Sequence, residues 1–232
     1  MKNKLKIVFA GSPKSSSTIL QSLIDNSDVE VPYVISQEPK RAKRGNKLLP
    51  TEVAIKATEN DIDLLEPRSL DEIKESITGF DFDFLLVAAY GKILPDWMLS
   101  APAYEPINVH YSILPKHRGA SPIQSTILAG DSEAGISIMK MTKGLDEGPI
   151  YKKFKIDIKE SDKEELEDKL SVIAAKNITS VLSEIKNKNI KPIDQNEDGA
   201  SYCKKIKKES GLIDLQNENA EKILLKFRAY KG

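Results

Sequence analysis

Three side chains stand where they could carry out acyl chemistry together. Asn108 and His110 close the apolar segment Ile107-Asn108-Val109-His110, and Asp146 follows in Gly144-Leu145-Asp146, about one supersecondary unit later. If the first segment is a strand, residues i and i+2 share a face, so Asn108 and His110 point the same way. An amide donor beside a titratable ring suits a reaction that passes through a tetrahedral, oxyanion-bearing intermediate. Asp146 lies between Gly144 and Gly148, in a loop from which its carboxylate reaches an imidazole or fixes a water. Taken alone, His110 fits a satisfied core histidine equally well. Its pairing with Asn108 and its strand-end position favour the functional reading.

Other segments carry chemistry less directly. Lys40-Arg41-Ala42-Lys43-Arg44-Gly45-Asn46-Lys47 packs five cations into eight residues. A charge run is commonly a solvated face, but in a neutral chain such a local contrast also offers a cheap way to hold phosphates. Gly11-Ser12-Pro13 follows the first strand where a nucleotide loop would sit, yet neither GxGxxG nor GxxxxGK[ST] is present, so a dinucleotide cofactor is not expected. Arg118 either orders the loop around His117 and Gly119 or meets an anion, and the ordering role is the simpler. Cys203 stands in a polar tail with no histidine near it in sequence, a poor setting for a nucleophile.

The elements that would position these groups read as alternating strands and helices. Leu5–Ala10 and Phe82–Ala88 are almost unbroken apolar runs, the pattern of buried parallel strands. Val31–Ile35, Ile107–Val109, Ile136–Met141 and Ile150–Ile158 are further strands. Helical spacing marks Thr18–Ile24, Thr51–Thr58, Ile123–Leu128, Lys163–Ile185 and Ala220–Phe227, and Ser69-Leu70-Asp71-Glu72 is a capping-box signature. The alternation predicts an α/β fold: a doubly wound, Rossmann-like, mainly parallel sheet with helices on both faces. Ligands in such sheets bind outside the carboxyl ends of the strands, where the Gly11 loop, the Ala89-Tyr90-Gly91 turn and His110 all fall. We expect a domain over residues 1–187 and a more polar extension over 188–232.

Composition sets outer limits. The chain has 232 residues, 40% of them hydrophobic, enough for one large core and an appendage. Lys+Arg and Asp+Glu are 35 each, so nothing global draws it to nucleic acid. With two His and one Cys no metal site is expected, and the single Cys fits a reducing compartment. No apolar run approaches membrane-spanning length, so the expectation is a cytoplasmic protein without membrane contact. A monomer is expected as well.

Together with Phe9-Ala10-Gly11-Ser12-Pro13 and Phe227-Arg228-Ala229, the segments Asn108-Val109-His110, Ser112-Ile113-Leu114-Pro115, Arg118-Gly119-Ala120, Pro122-Ile123-Gln124, Gly130-Asp131 and Gly144-Leu145-Asp146 resemble the folate-dependent formyltransferases. The segment Arg44 to Pro50 resembles the inserted loop of those members whose acceptor is initiator methionyl-tRNA. The resemblance implies transfer of a formyl group from 10-formyltetrahydrofolate, as co-substrate, to the amine of the methionine on that tRNA. It implies that Asn108, His110 and Asp146 are catalytic. It places folate near Ala89, Tyr90, Gly91, Ile93 and Leu94, with Ser112 and Pro115 alongside. Arg44 would contact the tRNA, with Arg41, Lys43 and Lys47 adding phosphate attraction. A sugar-nucleotide N-formyltransferase, or a module that binds folate or tRNA without turnover, remains the alternative. Lys14-Ser15-Ser16-Ser17, His117 and Glu147 depart from the usual family residues and bear on the pockets. Members of this kind continue past Phe-Arg-Ala into an OB-like C-terminal domain, expected to lie outside these 232 residues.

Overall fold

In the central strand of the fold, Phe84–Ala88, every side chain is buried. This computed structural model describes residues 4–41 and 48–231. The chain divides into two compact units, Met1–Val109 with Ala174–Lys191, and His110–Ile173 with Pro192–Gly232.

The first unit opens with β1 (Leu5–Gly11) and α1 (Lys14–Ile24). It continues through β2 (Val29–Glu30), β3 (Tyr33–Ile35), the antiparallel pair β4 (Lys40–Arg41) and β5 (Leu48–Leu49), and α2 (Glu52–Glu59). There follow β6 (Asp63–Leu65), α3 (Lys74–Thr78), β7 (Phe84–Ala88), α4 (Asp96–Leu99) and β8 (Glu105–His110), whose last residue belongs to the second unit. The strands β8, β7, β1, β3 and β6 lie in that order and every pairing among them is parallel. From β1 the chain winds outward to β3 and β6, then returns to add β7 and β8 on the other side. The switch point therefore lies between β1 and β7, where an open parallel sheet leaves a crevice at its carboxyl ends. Apolar runs build this sheet: Ile7, Val8, Phe9, Phe84, Leu85 and Leu86 are wholly buried, as are Ile19, Leu20 and Leu23 of α1. The parallel sheet expected from the alternation is thus what forms.

Local chemistry sets several ends. Thr51 caps α2 by accepting from the Ala54 N–H at 3.0 Å. The Ser69 signature opens a 3₁₀ turn, Leu70–Ile73, and only then the short α3. Here Glu72 reaches back to the Arg68 N–H at 3.1 Å, one residue ahead of a regular capping box. Helix α1 begins at Lys14, four residues before the expected Thr18, because Ser15 and Ser16 are buried and look polar only in sequence. The Ser16 hydroxyl donates to the Ala88 carbonyl at 2.6 Å. A Cβ on Gly11 would lie 2.8 Å from that of Ser16 and 2.9 Å from the Ala88 oxygen. Gly11 is therefore a close-packing glycine between β1, α1 and β7.

The second unit takes up β9 (Arg118–Gly119), α5 (Pro122–Leu128), and an antiparallel hairpin of β10 (Glu133–Lys140) and β11 (Ile150–Asp157). Helix α6 (Lys163–Lys186) follows, its residues from Ala174 on being counted with the first unit, and then β12 (Tyr202–Cys203) and α7 (Ala220–Tyr230). Leu114, Met139 and Ile150 form a buried cluster. The tail is tied back twice: Ile193 bridges Ile150, and β12 pairs with β9. No described helix is long and apolar enough to cross a membrane.

Candidate active site

His110 ends β8, and its ring is held at Nε2 and faced by a carboxylate at Nδ1. Its Nε2 lies 3.0 Å from the His117 carbonyl oxygen. A carbonyl only accepts, so Nε2 carries the hydrogen. Nδ1 then faces Asp146 Oδ2 at 3.6 Å, too far for a direct hydrogen bond but close enough to pair once the ring gains a proton. The ring is 5% exposed, which protects this arrangement from water. Asn108 stands two residues earlier on the same strand and is half-buried, more open than its neighbours Ile107 and Val109.

Asp146 is held at its carboxylate and at its carbonyl. Its backbone sits in the left-handed region at φ +54°. Its carboxylate accepts the Gly119 N–H at 2.8 Å. Its carbonyl and that of Gly148 both accept from Gln195 Nε2, at 2.8 and 2.7 Å. The Gln195 oxygen accepts from Arg118 Nε at 3.0 Å. Arg118 has no exposed surface. Its two terminal nitrogens reach the Glu197 carboxylate at 3.0 and 2.8 Å, and one of them also meets the Tyr202 hydroxyl at 3.0 Å. Tyr202 in turn donates to Glu147 at 3.1 Å. Arg118 therefore orders the loop.

The loop from His110 to Arg118 has its own supports. His117, at φ +58°, pairs its ring with Asp131 at 2.8 Å, and its N–H donates to the Ser201 hydroxyl at 2.9 Å. Lys116 meets the other Asp131 oxygen at 3.2 Å. Burial opposes ionisation of Asp131, but these two partners outweigh it and hold the carboxyl below its ordinary range. Ser112 spends its hydroxyl on the Lys116 carbonyl at 2.6 Å, and the Pro115 carbonyl accepts the Ser201 N–H at 3.2 Å. Cys203 is buried, its sulfur contacting the Ser121 N–H and the His117 carbonyl.

The other expected residues stand at the carboxyl end of β7 in the first unit. Ala89 is exposed at φ +45°. Tyr90 is 1% exposed, its hydroxyl has no hydrogen-bond partner among the described residues, and burial pushes its pKa up to about 12. Lys92 donates to the Pro67 and Arg68 carbonyls at 2.7 and 3.1 Å. Ile93 is 94% exposed and, with Ser69, Asp71, Lys92 and Leu94, lines a cavity of about 380 Å³. Arg41 is exposed at the root of the β4–β5 pair, while Lys43, Arg44 and Lys47 lie outside the described residues.

The structure thus brings His110, Asp146, Ser112 and Pro115 into one unit, and Ala89 to Leu94 into the other with Asn108. The residues that the sequence did not single out are Gln195, Glu197 and Tyr202. Gln195 and Glu197 lie in Ile193-Asp194-Gln195-Asn196-Glu197, and Tyr202 five residues further on, in what reads as an ordinary polar tail.

The fold has known counterparts. The chain belongs to the formyl transferase family, whose model matches residues 4–182. Its relatives include the methionyl-tRNA formyltransferase of Sulfurovum sp., 42% identical over 234 residues that cover 99% of this chain and 74% of that protein. The methionyl-tRNA formyltransferase of Mycoplasma capricolum subsp. capricolum is 37% identical over 222 residues, 95% of this chain and 70% of that one. Among solved structures, the N-formyltransferase of Helicobacter canadensis in complex with folinic acid and dTDP-3-aminofucose superposes with a TM-score of 0.74 at 19% identity, over 97% of this chain and 80% of that one. The methionyl-tRNA formyltransferase of Clostridium thermocellum gives 0.65 at 19% identity, over 97% and 82%. At such identities the structural likeness speaks for the fold alone.

Proposed function

We propose that this chain transfers the formyl group of 10-formyltetrahydrofolate to the free amine of the methionine esterified to initiator tRNA, in the cytoplasm and as a monomer. The observation that carries the chemistry is the His110 ring, fixed at Nε2 by the His117 carbonyl and faced at Nδ1 by Asp146. The relatives at 37–42% identity and the basic run from Lys40 to Lys47 favour this acceptor over an amino-sugar nucleotide.

In this reading the amine nitrogen attacks the formyl carbon, and the carbonyl oxygen becomes an oxyanion. The Asn108 amide stabilises that charge, together with the positive charge of the His110 ring once it is protonated. His110 moves the proton that the amine loses, and Asp146 steadies the imidazolium while the ring holds it. The bond from the formyl carbon to the folate nitrogen then breaks, and that nitrogen takes a proton. Folate sits by Ala89, Tyr90, Gly91, Ile93 and Leu94, and Ser112 and Pro115 are assigned to folate binding as well. Arg44 grips the tRNA, and Arg41, Lys43 and Lys47 add attraction to its phosphates.

The test is turnover of formylated product from 10-formyltetrahydrofolate, with initiator methionyl-tRNA or a dTDP-amino sugar as acceptor. We expect tRNA formylation, lowered roughly 10²- to 10³-fold in both Asn108→Ala and His110→Ala. Near wild-type turnover in both variants would sink the assignment of roles, and faster formylation of the amino sugar would replace the acceptor.

A further inference from the structure

We propose that Gln195 is a positioning residue for catalysis, acting through Asp146; the proposal rests on the formyl-transfer reading above. Gln195 is half-buried, whereas the residues around it from Lys191 to Gly199 are exposed. The strap that carries it is pinned on both sides. Ile193 exchanges backbone hydrogen bonds with Ile150 at 2.8 and 2.9 Å, and Tyr202–Cys203 pairs with Arg118–Gly119.

The orientation of its amide is fixed by its partners. Arg118 Nε can only donate, so it faces the amide oxygen. The Asp146 and Gly148 carbonyls can only accept, so they face the amide nitrogen. A flipped amide would set like against like at every one of these bonds. The two nitrogen bonds bracket Glu147 and hold Asp146 in its left-handed conformation, from which the carboxylate meets the Gly119 N–H and His110 Nδ1. The buried guanidinium of Arg118, clamped by Glu197, is in turn the fixed post for the amide. The chain Arg118–Gln195–Asp146 therefore sets where the carboxylate stands when His110 takes its proton. A misplacement of about 1 Å at such a group costs on the order of 10²-fold in rate.

Gln195→Glu separates positioning from scaffolding. The carboxylate keeps the side-chain length and its bond to Arg118, but presents an oxygen to the two loop carbonyls. We expect kcat to fall roughly 10- to 100-fold, with the KM for folate within about threefold and little change in melting temperature. We also expect amide exchange at Gly119 to quicken at least tenfold, because its acceptor carboxylate is no longer held. Gln195→Met, which removes the bonds without adding charge, gives the same pattern and serves if the Glu variant does not fold. Wild-type kcat with unchanged Gly119 exchange in either folded variant would overturn the proposal, as would a KM rising in step with the loss of kcat. If the formyl-transfer reading is wrong, the unaltered chain shows no turnover, while Gly119 exchange in the variants still reports on the hold over Asp146.

Discussion

Gly119→Ala tests whether the loop and the tail strap are as tightly apposed as their geometry implies. Gly119 sits at φ +114°, and an added Cβ would lie 2.3 Å from the Cys203 carbonyl oxygen. Carbon and oxygen approach to about 3.3 Å at closest, so β9 and β12 must separate by about 1 Å. That movement breaks or weakens the Arg118 N–H bond to Ser201 and the Ala120 N–H bond to Cys203, now 2.8 and 3.3 Å long. At about 1 kcal/mol each, plus about 1–3 kcal/mol for a side chain in that backbone region, the cost is roughly 3–5 kcal/mol. For a chain of this size each kcal/mol lowers the melting temperature by about 2–4 °C, so the fall is on the order of 6–20 °C. Gly130→Ala is the comparison. Gly130 lies at φ +67°, but its added Cβ meets only Leu225, at 3.8 Å. It bears the backbone cost alone, about 1–2 kcal/mol and a few degrees. Thermal melts by circular dichroism compare the two, and formyl-transfer assays at a temperature where both are folded compare activity. Gly119→Ala also moves the N–H that holds the Asp146 carboxylate, so its kcat should drop further than that of Gly130→Ala. If both variants melt within about 2 °C of each other, the apposition of Gly119 and Cys203 is not what stabilises this region.

The remaining predictions are brief. Tyr90→Phe removes a buried hydroxyl without a described partner and should raise stability by about 1 kcal/mol, read as a higher denaturation midpoint; a clear loss would show that the hydroxyl is paired. In an alkaline absorbance titration of the seven tyrosines, the same variant should lack a phenolate that appears at about 12. The lowered carboxyl of Asp131 contributes stability above the ordinary carboxylate value of about 3.9, and that contribution disappears as the pH falls through its folded value. The melting temperatures of the wild type and Asp131→Asn should therefore differ steadily near neutrality and converge below about pH 4; a constant gap down to acid would contradict the pairing. Replacing Arg44 and Lys47 by Gln should raise the KM for tRNA and flatten its dependence on log salt by roughly 0.7–0.9 for each phosphate no longer neutralised, with no effect on an assay of folate binding alone.

What was legible in the sequence is what depends on neighbours along the chain. Phe84–Ala88 is buried on both faces, and no polar residue interrupts it, so its place in a parallel sheet could be read directly. Asn108 and His110 were legible as a pair because strand alternation is strict. The basic run needed no partner to stand out. Asp63–Leu65 went unread because it is the last strand of the parallel series, where an exposed Asp is tolerated and the alternation fails. The start of α1 was misplaced because Ser15 and Ser16 are buried by packing and a bond to Ala88, which no local pattern announces. Gln195 is the sharpest case. Its partners are Arg118, 77 positions away, and Asp146 and Gly148, 49 and 47 positions away. A glutamine in a polar tail looks the same whether it faces water or fixes a catalytic loop. The groups proposed to handle charge in the reaction sit at strand ends and loops with a recognisable pattern, but the groups that fix them are chosen by tertiary closure alone. A search for the determinants of rate in this chain therefore belongs among polar residues that look solvated in sequence and are withdrawn from water in the fold, Arg118 and Gln195 first among them.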